Sequence, residues 1–149
     1  MGRHYDLAIV GGGIVGLGHA VAALRRGLTV AVVDRASSVN GASVRNFGHI
    51  GITGQEGEAR AYAELARELW LTLSIEAGFW LRECGTVVVA QSPEELAVLE
   101  EFRDRRGGHD VRLLAPAQVR ERVPVGDGVV IGGGHLPADL QVGPREAAP

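Results

Sequence analysis

The spacing of apolar residues changes twice within the first 34 positions of the chain. A continuous apolar run from Leu7 to Val10 is typical of a strand that is buried on both faces. After three glycines, the composition from Ile14 to Arg26 is helical, and Gly27 ends that segment. A second apolar run, from Leu28 to Val33, leads directly into Asp34. The pattern therefore predicts a strand, a glycine turn, a helix, a second strand and an acid.

Farther along the chain, the pattern predicts helices that alternate with short strands. Apolar residues recur at helical spacing from Glu58 to Ala77, with charged residues on the other face. The residues Ser92-Pro93-Glu94-Glu95 have the types of a capping box, with proline at the first helical position. From about Arg82 onward the chain therefore has the composition of an α+β segment. Its other predicted elements are strands over 86–90, 111–114 and 129–131, the last followed by Gly132-Gly133-Gly134, and a short helix between Pro116 and Pro124.

The glycine turn carries a dinucleotide-binding pattern in the structural context that this motif requires. Gly11 permits the tight turn, Gly13 lets a pyrophosphate approach the backbone, and Gly16 lets the helix pack against the strand. The free N–H groups of the helix N-terminus favour the phosphates. Asp34 follows Gly16 by 18 positions, where a carboxylate accepts hydrogen bonds from ribose and disfavours NADP. The alternative is a glycine-rich βαβ unit that binds nothing.

A long polar segment from Ser37 to Gly54 follows the acid. The connections of a simple NAD-binding domain are usually short. A long polar loop at this place indicates a ligand that extends over a pyrophosphate to a ring system. An NAD-dependent dehydrogenase domain is therefore the less favoured interpretation.

Composition narrows the classes of function. The chain has 149 residues, enough for one domain with a real core, and its formal charge of −3 gives no electrostatic reason to expect nucleic acid or an anionic membrane. All 15 basic residues are arginine, so this sequence offers no P-loop lysine or Schiff-base lysine. Cys84 is the only cysteine, and neither a signal peptide nor a membrane-spanning run is evident. We therefore expect a cytoplasmic protein without an internal disulfide.

The stretches DLAIVGGGIVGLGHA, VAVVDR and GASVRNFGHIG together resemble the N-terminus of the FAD-dependent amine and amino-acid oxidoreductases. This family is the group of D-amino-acid oxidase, glycine oxidase and sarcosine oxidase. Within it, RNFGHIGITGQ is most similar to flavoproteins encoded beside aminophosphonate-degradation genes. The resemblance implies an α/β fold, in which a Rossmann-like FAD-binding βαβ unit is followed by the beginning of an α+β substrate domain. It also implies an enzyme that oxidises a small amine or amino acid, and specifically an aminophosphonate, to an imine by hydride transfer to flavin.

The resemblance further implies which residues hold the cofactor. The glycines of the turn would hold the FAD pyrophosphate, Asp34 the adenosine ribose, and the loop around Ser43 the phosphates and the flavin ring. Relatives with a histidyl-linked flavin have that histidine where Arg45 aligns, so we expect non-covalent FAD. The predicted cofactor-binding residues are Gly11, Gly13, Ile14, Val15, Gly16, Asp34, Arg35, Ser43, Arg45, Asn46, Phe47 and Gly48. No catalytic residue is assigned, and the five histidines show no metal-ligand spacing.

The resemblance also divides the chain. Residues 1–80 would be the N-terminal part of the FAD-binding domain, 81–136 the start of the substrate domain, and 137–149 a crossing back toward the FAD domain. Gly143 stands where the family usually has aspartate. Family members continue well beyond this length, so a non-catalytic, truncated nucleotide-binding fragment remains the alternative function.

Two loop residues stay open between a functional and a structural role. His49 follows the predicted flavin loop, and it would either lie near the isoalloxazine or be held by structural hydrogen bonds. Arg45 would either bind a phosphate or substrate anion or form a surface salt bridge.

Overall fold

The computed structural model describes residues 3–124 and 128–148. Helices and strands alternate along most of the chain, as the apolar pattern predicts. Among the described residues, no helix is both long enough and apolar enough to cross a membrane. The elements are β1 (Leu7–Val10), α1 (Ile14–Leu24), β2 (Val30–Val33), a 3-10 helix (Ala42–Val44), β3 (His49–Ile50), α2 (Gly57–Ala77), β4 (Leu81–Arg82), β5 (Thr86–Ala90), α3 (Pro93–Arg106), β6 (Arg112–Leu114), α4 (Pro116–Arg122), β7 (Gly132–Leu136), β8 (Leu140–Val142) and α5 (Pro144–Ala147).

The chain forms two compact units. The first contains residues up to Gly48, the short segment Ala77–Trp80 and the residues from Val142 onward. The second contains His49–Glu76 and Leu81–Gln141. The domain boundaries predicted after residues 80 and 136 stay predictions.

The first unit contains the βαβ arrangement that the sequence predicts. Strands β1 and β2 pair in parallel, with Leu7 opposite Val30 and Val10 opposite Val33, and α1 connects them. The strand predicted from Leu28 begins two residues later, because the N–H of Leu28 still donates to the Ala23 carbonyl oxygen at the end of α1 (3.2 Å). The helix end therefore consumes the backbone that the apolar pattern assigned to the strand.

The second unit contains an antiparallel sheet of order β5-β7-β6. Its central strand corrects the sequence prediction, which placed a strand at 129–131 and treated the following glycines as its end. The strand β7 instead begins at Gly132 and contains all three glycines. A Cβ at Gly133 would lie 2.5 Å from the Val88 carbonyl oxygen and 2.8 Å from Val119 Cγ2. Only glycine lets the neighbouring strand and helix α4 come this close, and β propensity does not register such a constraint.

The N-terminus of α3 is confirmed where the capping residues predict it. Ser92 is the N-cap, and its hydroxyl oxygen accepts a hydrogen bond from the Glu95 N–H (3.3 Å). The Glu95 carboxylate accepts from the N–H of Gln91 (2.6 Å) rather than from the N-cap residue. The reciprocal bond of the capping box thus reaches one residue farther back along the chain.

A buried carboxylate organises the second sheet of this unit, which has the order β3-β8-β4. The Asp139 side chain is only 1% exposed, and its Oδ1 accepts from the N–H groups of Ile52 and Thr53 (2.9 Å each). Burial acts to raise the pKa of Asp139, but these bonds, with those from Thr86 and His49, outweigh it and leave the pKa below its ordinary value. The carboxylate therefore holds residues 49–53 as an anion with a full set of donors.

We expect Gly133→Ala to lower the free energy of unfolding by about 1–3 kcal/mol, because the added methyl must displace β5 or α4. The matched control is Gly108→Ala, where a Cβ would meet nothing within 4 Å. Urea unfolding of both variants measures the difference. Equal stability of the two variants would show that the approach of β5 and α4 to Gly133 is not a packing constraint.

We expect Asp139→Asn to lower the free energy of unfolding at neutral pH by about 1–3 kcal/mol, because it disturbs a buried carboxylate that has all its hydrogen bonds. A carboxyl whose pKa is lowered on folding stabilises the fold above the unfolded value, about 3.9, and that contribution is lost as the pH falls through the lowered folded value. The difference between wild type and variant should therefore shrink below about pH 4.

Urea titrations across this pH range, repeated with Asp104→Asn, provide the control. Asp104 is 67% exposed and pairs with its neighbour Arg103, so its replacement should cost less than about 1 kcal/mol at any pH. A cost for Asp139→Asn that does not change with pH would contradict the role of its charge.

Candidate functional site

The glycine turn brings the start of α1 against the end of β1. Gly11 has a φ of +107°, which only glycine adopts readily, and its N–H donates to the Val33 carbonyl oxygen (2.8 Å). A Cβ at Gly16 would overlap the Gly11 carbonyl oxygen and lie 3.2 Å from Ile9 Cγ2. The helix therefore packs on the turn as the glycine pattern predicts.

The Asp34 carboxylate lies beside this turn. Its Oδ2 accepts from the Gly12 N–H (2.7 Å), and its Oδ1 accepts from the Ala36 N–H (2.9 Å). The bonds from Ala36 and then Gly12 hold the pKa of Asp34 below its ordinary value. Each oxygen keeps a further lone pair, so the carboxylate can also accept from a ligand hydroxyl.

The N-terminus of α1 is capped from a distant loop. Its N-cap residue, Gly13, has no side chain to offer, and the Ser43 hydroxyl oxygen instead accepts from the Ile14 N–H (3.0 Å). A Cβ at Gly13 would lie 3.1 Å from that oxygen. The 3-10 helix that contains Ser43 is thus fixed against the helix end, and the hydroxyl can still donate its proton elsewhere.

These groups surround a cavity of about 180 Å³. The structure brings four of the predicted cofactor residues to its walls. The sequence analysis missed the other four wall residues, although they belong to the polar loop that it singled out for its length. The lining consists of Gly13, Asp34, Arg35 and Ser43 with Ser38, Val39, Asn40 and Gly41.

The loop from Arg45 to Gly48 does not line this cavity. The Asn46 amide donates to the carbonyl oxygens of Ala42 and Ser43 and accepts from the Gly48 N–H, so its polar atoms hold the loop itself. A Cβ at Gly48 would overlap the Val142 carbonyl oxygen. Two other predicted cofactor residues point outward, with Phe47 92% and Val15 71% exposed. The described part of the chain shows no ion pair for Arg45, which is exposed, so the surface salt bridge is absent there.

A second cavity of the first unit, about 330 Å³, lies on the other side of the 3-10 helix. It is lined by Val44, Asn46, Gly143, Pro144, Arg145 and Glu146. The Glu146 carboxylate accepts from the Trp80 N–H (2.8 Å) and lies 3.1 Å from the place of a Cβ on Gly143. The missing side chain at position 143 therefore leaves room that Glu146 occupies.

His49 has the structural role that the sequence left open. Its Nε2 lies 2.9 Å from the Thr86 hydroxyl and 3.2 Å from Asp139 Oδ2, so it belongs to the bonded network around the buried carboxylate. Within residues 3–124 and 128–148, no cluster of His, Cys, Asp or Glu could hold a metal ion.

The site of the first unit suits a dinucleotide. Glycines 11 to 13 leave the mouth of the turn without side chains, and the N-terminus of α1 supplies N–H groups and a positive dipole end. An anionic carboxylate at the end of β2 suits ribose hydroxyls. Phosphate and ribose acceptors and donors are thus present where FAD would require them.

Known proteins of similar sequence and structure agree with this geometry. A subunit of the opine oxidase from Rhizobium meliloti is 32% identical over 150 residues, which are 90% of this chain and 40% of that protein. Glycine oxidase from Bacillus cereus superposes with a TM-score of 0.85 at 26% identity, over 97% of this chain and 42% of that one. L-proline dehydrogenase from P. horikoshii superposes with a TM-score of 0.79 at 27% identity, over 99% and 40%.

The chain thus spans about 40% of the length of these relatives. The family profile of the FAD dependent oxidoreductases (DAO) matches residues 6–149, which is nearly the whole sequence. The family resemblance and the α/β fold expected from the glycine turn and the polar loop are confirmed. The chain belongs to the FAD dependent oxidoreductase family.

Proposed function

We propose that the protein is an FAD-dependent oxidoreductase that oxidises a small amine or amino acid to an imine. The observation that carries the proposal is the cavity at which the Asp34 carboxylate, the α1 N-terminus and the Ser43 hydroxyl meet. These three groups are an acceptor for ribose, a donor set for phosphate and a hydroxyl for phosphate oxygen. Membership of the family supports FAD as the nucleotide.

Each residue has a separate task in this proposal. Asp34 binds the adenosine ribose through the lone pairs that Gly12 and Ala36 leave free. Gly13 and Ile14 present backbone to the pyrophosphate, and the Ser43 hydroxyl accepts from the Ile14 N–H while donating its own proton toward a phosphate oxygen. Arg35 adds a cation at the same cavity wall. The chain thereby binds and orients the cofactor.

When bound, FAD supplies the acceptor of the hydride that leaves the carbon bearing the nitrogen. The residues of this chain hold that acceptor in place, and none of them is assigned a proton transfer. The segment Arg45–Gly48, held together by Asn46, is proposed to face the flavin side of the site. The exposed Arg45 would meet an anionic group of cofactor or substrate there.

The substrate class rests on the relatives. Glycine oxidases and an L-proline dehydrogenase, at 26% and 27% identity, are named for amino-acid substrates. An aminophosphonate is a narrower hypothesis within the same class, and it depends on the stretch RNFGHIGITGQ alone. The opine oxidase relative is named as one subunit of its enzyme, so we also propose that this protein works in a complex with another polypeptide. Arginine at position 45 supports non-covalent FAD, and the lone Cys84 supports a cytoplasmic location.

We expect Asp34→Ala to weaken FAD binding by roughly ten- to a hundredfold, because hydrogen bonds to a charged group are lost. The matched control is Asp6→Ala at the opposite end of β1, whose carboxylate also accepts two bonds, both from Thr29. Fluorescence titration of the full-length apoprotein with FAD measures both affinities. If the two variants lose affinity equally, Asp34 does not belong to the site.

The proposed reaction is tested by turnover with released cofactor. We expect the full-length protein to give yellow FAD in the supernatant after acid precipitation, because Arg45 offers no histidyl linkage. We expect hydrogen peroxide formation or dye reduction with at least one of glycine, sarcosine, L-proline and 2-aminoethylphosphonate. The imine would appear as the carbonyl product after hydrolysis.

Each other outcome has its own meaning. Flavin that stays on the pellet would refute non-covalent binding, and NAD in the supernatant would refute the cofactor. Tight FAD binding without turnover of any amine would favour the alternative, a nucleotide-binding chain that is not catalytic. Turnover of 2-aminoethylphosphonate alone would select the aminophosphonate hypothesis.

A further inference from the structure

Helix α2 presents an apolar stripe to solvent. Tyr62, Leu65 and Leu69 follow one another at spacings of three and four residues, so they lie on one face of the helix. They are 62%, 65% and 49% exposed. All 21 residues of α2 are described, and none of them is buried. An amphipathic helix normally gains most of its stability from burying such a face.

The opposite side of α2 is anchored by polar bonds. Arg60 is bonded to Asp110 (3.3 Å), and Arg67 is bonded to Glu83 (2.5 Å) and donates to the Ala138 carbonyl oxygen (3.0 Å). The two arginine side chains are only 15% and 21% exposed. These bonds set the rotation of the helix and turn the stripe outward.

The charge around the stripe is acidic. Glu58 and Glu76 continue the line of the stripe at its two ends, and Glu68 lies on its flank, three residues after Leu65. Glu68 is 73% exposed. Because both arginines of α2 are directed inward, the surface that α2 offers combines large apolar side chains with carboxylates.

We propose that this stripe, Tyr62-Leu65-Leu69, binds an amphipathic helix of a different polypeptide, whose apolar ridge is flanked by arginine or lysine. A second copy of this chain would bring the same glutamates to the contact, and like charges at an interface disfavour association. A basic partner instead complements them and also covers the apolar side chains, in the manner of a helix docked on an apolar surface. The inference goes beyond the proposed oxidation, since it needs no cofactor.

Site-specific photocross-linking identifies the occupant. Leu65→p-benzoylphenylalanine is introduced into the full-length protein in its native host, and the cross-linked peptides are sequenced by mass spectrometry. We expect an adduct with another polypeptide, through a segment that has apolar residues at helical spacing and flanking arginine or lysine. Adding Leu69→Glu should lower the adduct yield at least about tenfold, because apolar anchors dominate such interfaces.

The control carries the photoreactive residue at Val98, an apolar residue of α3 that is 64% exposed but has no such stripe around it. Circular dichroism and FAD affinity of the Leu69→Glu variant should match those of wild type, which separates loss of the partner from loss of fold or cofactor. Cross-links to a second copy, to another part of the same polypeptide or to an acidic segment would overturn the proposal. An adduct yield at position 65 no greater than at position 98 would also overturn it.

Discussion

Contact between backbones at places that no Cβ can enter is the constraint on which both units depend. In the first unit, α1 reaches the turn after β1 only because Gly16 faces the Gly11 carbonyl oxygen. In the second, Gly133 allows Val88 and helix α4 to meet at the central strand. Close approach removes solvent from the backbone and fixes the distance between elements, because packed interiors tolerate little change in volume. The high glycine content of the chain, 22 residues, follows in part from this use.

Carboxylates then hold the loops that the glycine contacts bring near. Asp6 accepts from Thr29 at the start of the βαβ unit, and Asp34 accepts from Gly12 at its ligand end. Asp139 does the same for residues 52 and 53 in the second unit. A carboxylate that accepts several N–H groups fixes a loop without secondary structure. Asp34 differs from the other two because the same oxygens also face a cavity.

The ligand end of the βαβ unit is therefore largely formed without the ligand. The turn, Asp34 and the Ser43 cap are already bonded to one another through backbone N–H groups. A preformed site loses less conformational freedom when it binds. This agrees with membership of the FAD dependent oxidoreductase family, in which a bulky cofactor must be held in one orientation.

The sequence by itself determined the βαβ unit, the helices and the family. Gly11, Gly16 and Asp34 stand at spacings that depend only on local geometry, and Ser92 with Pro93 marks a helix start for the same reason. Tertiary structure alone decided what depends on neighbours distant in sequence. It made a strand of Gly132–Leu136, because packing at Gly133 outweighs propensity. It capped α1 with a hydroxyl 29 residues away and joined His49 to a carboxylate 90 residues away, since hydrogen-bond partners are selected by distance in space rather than along the chain.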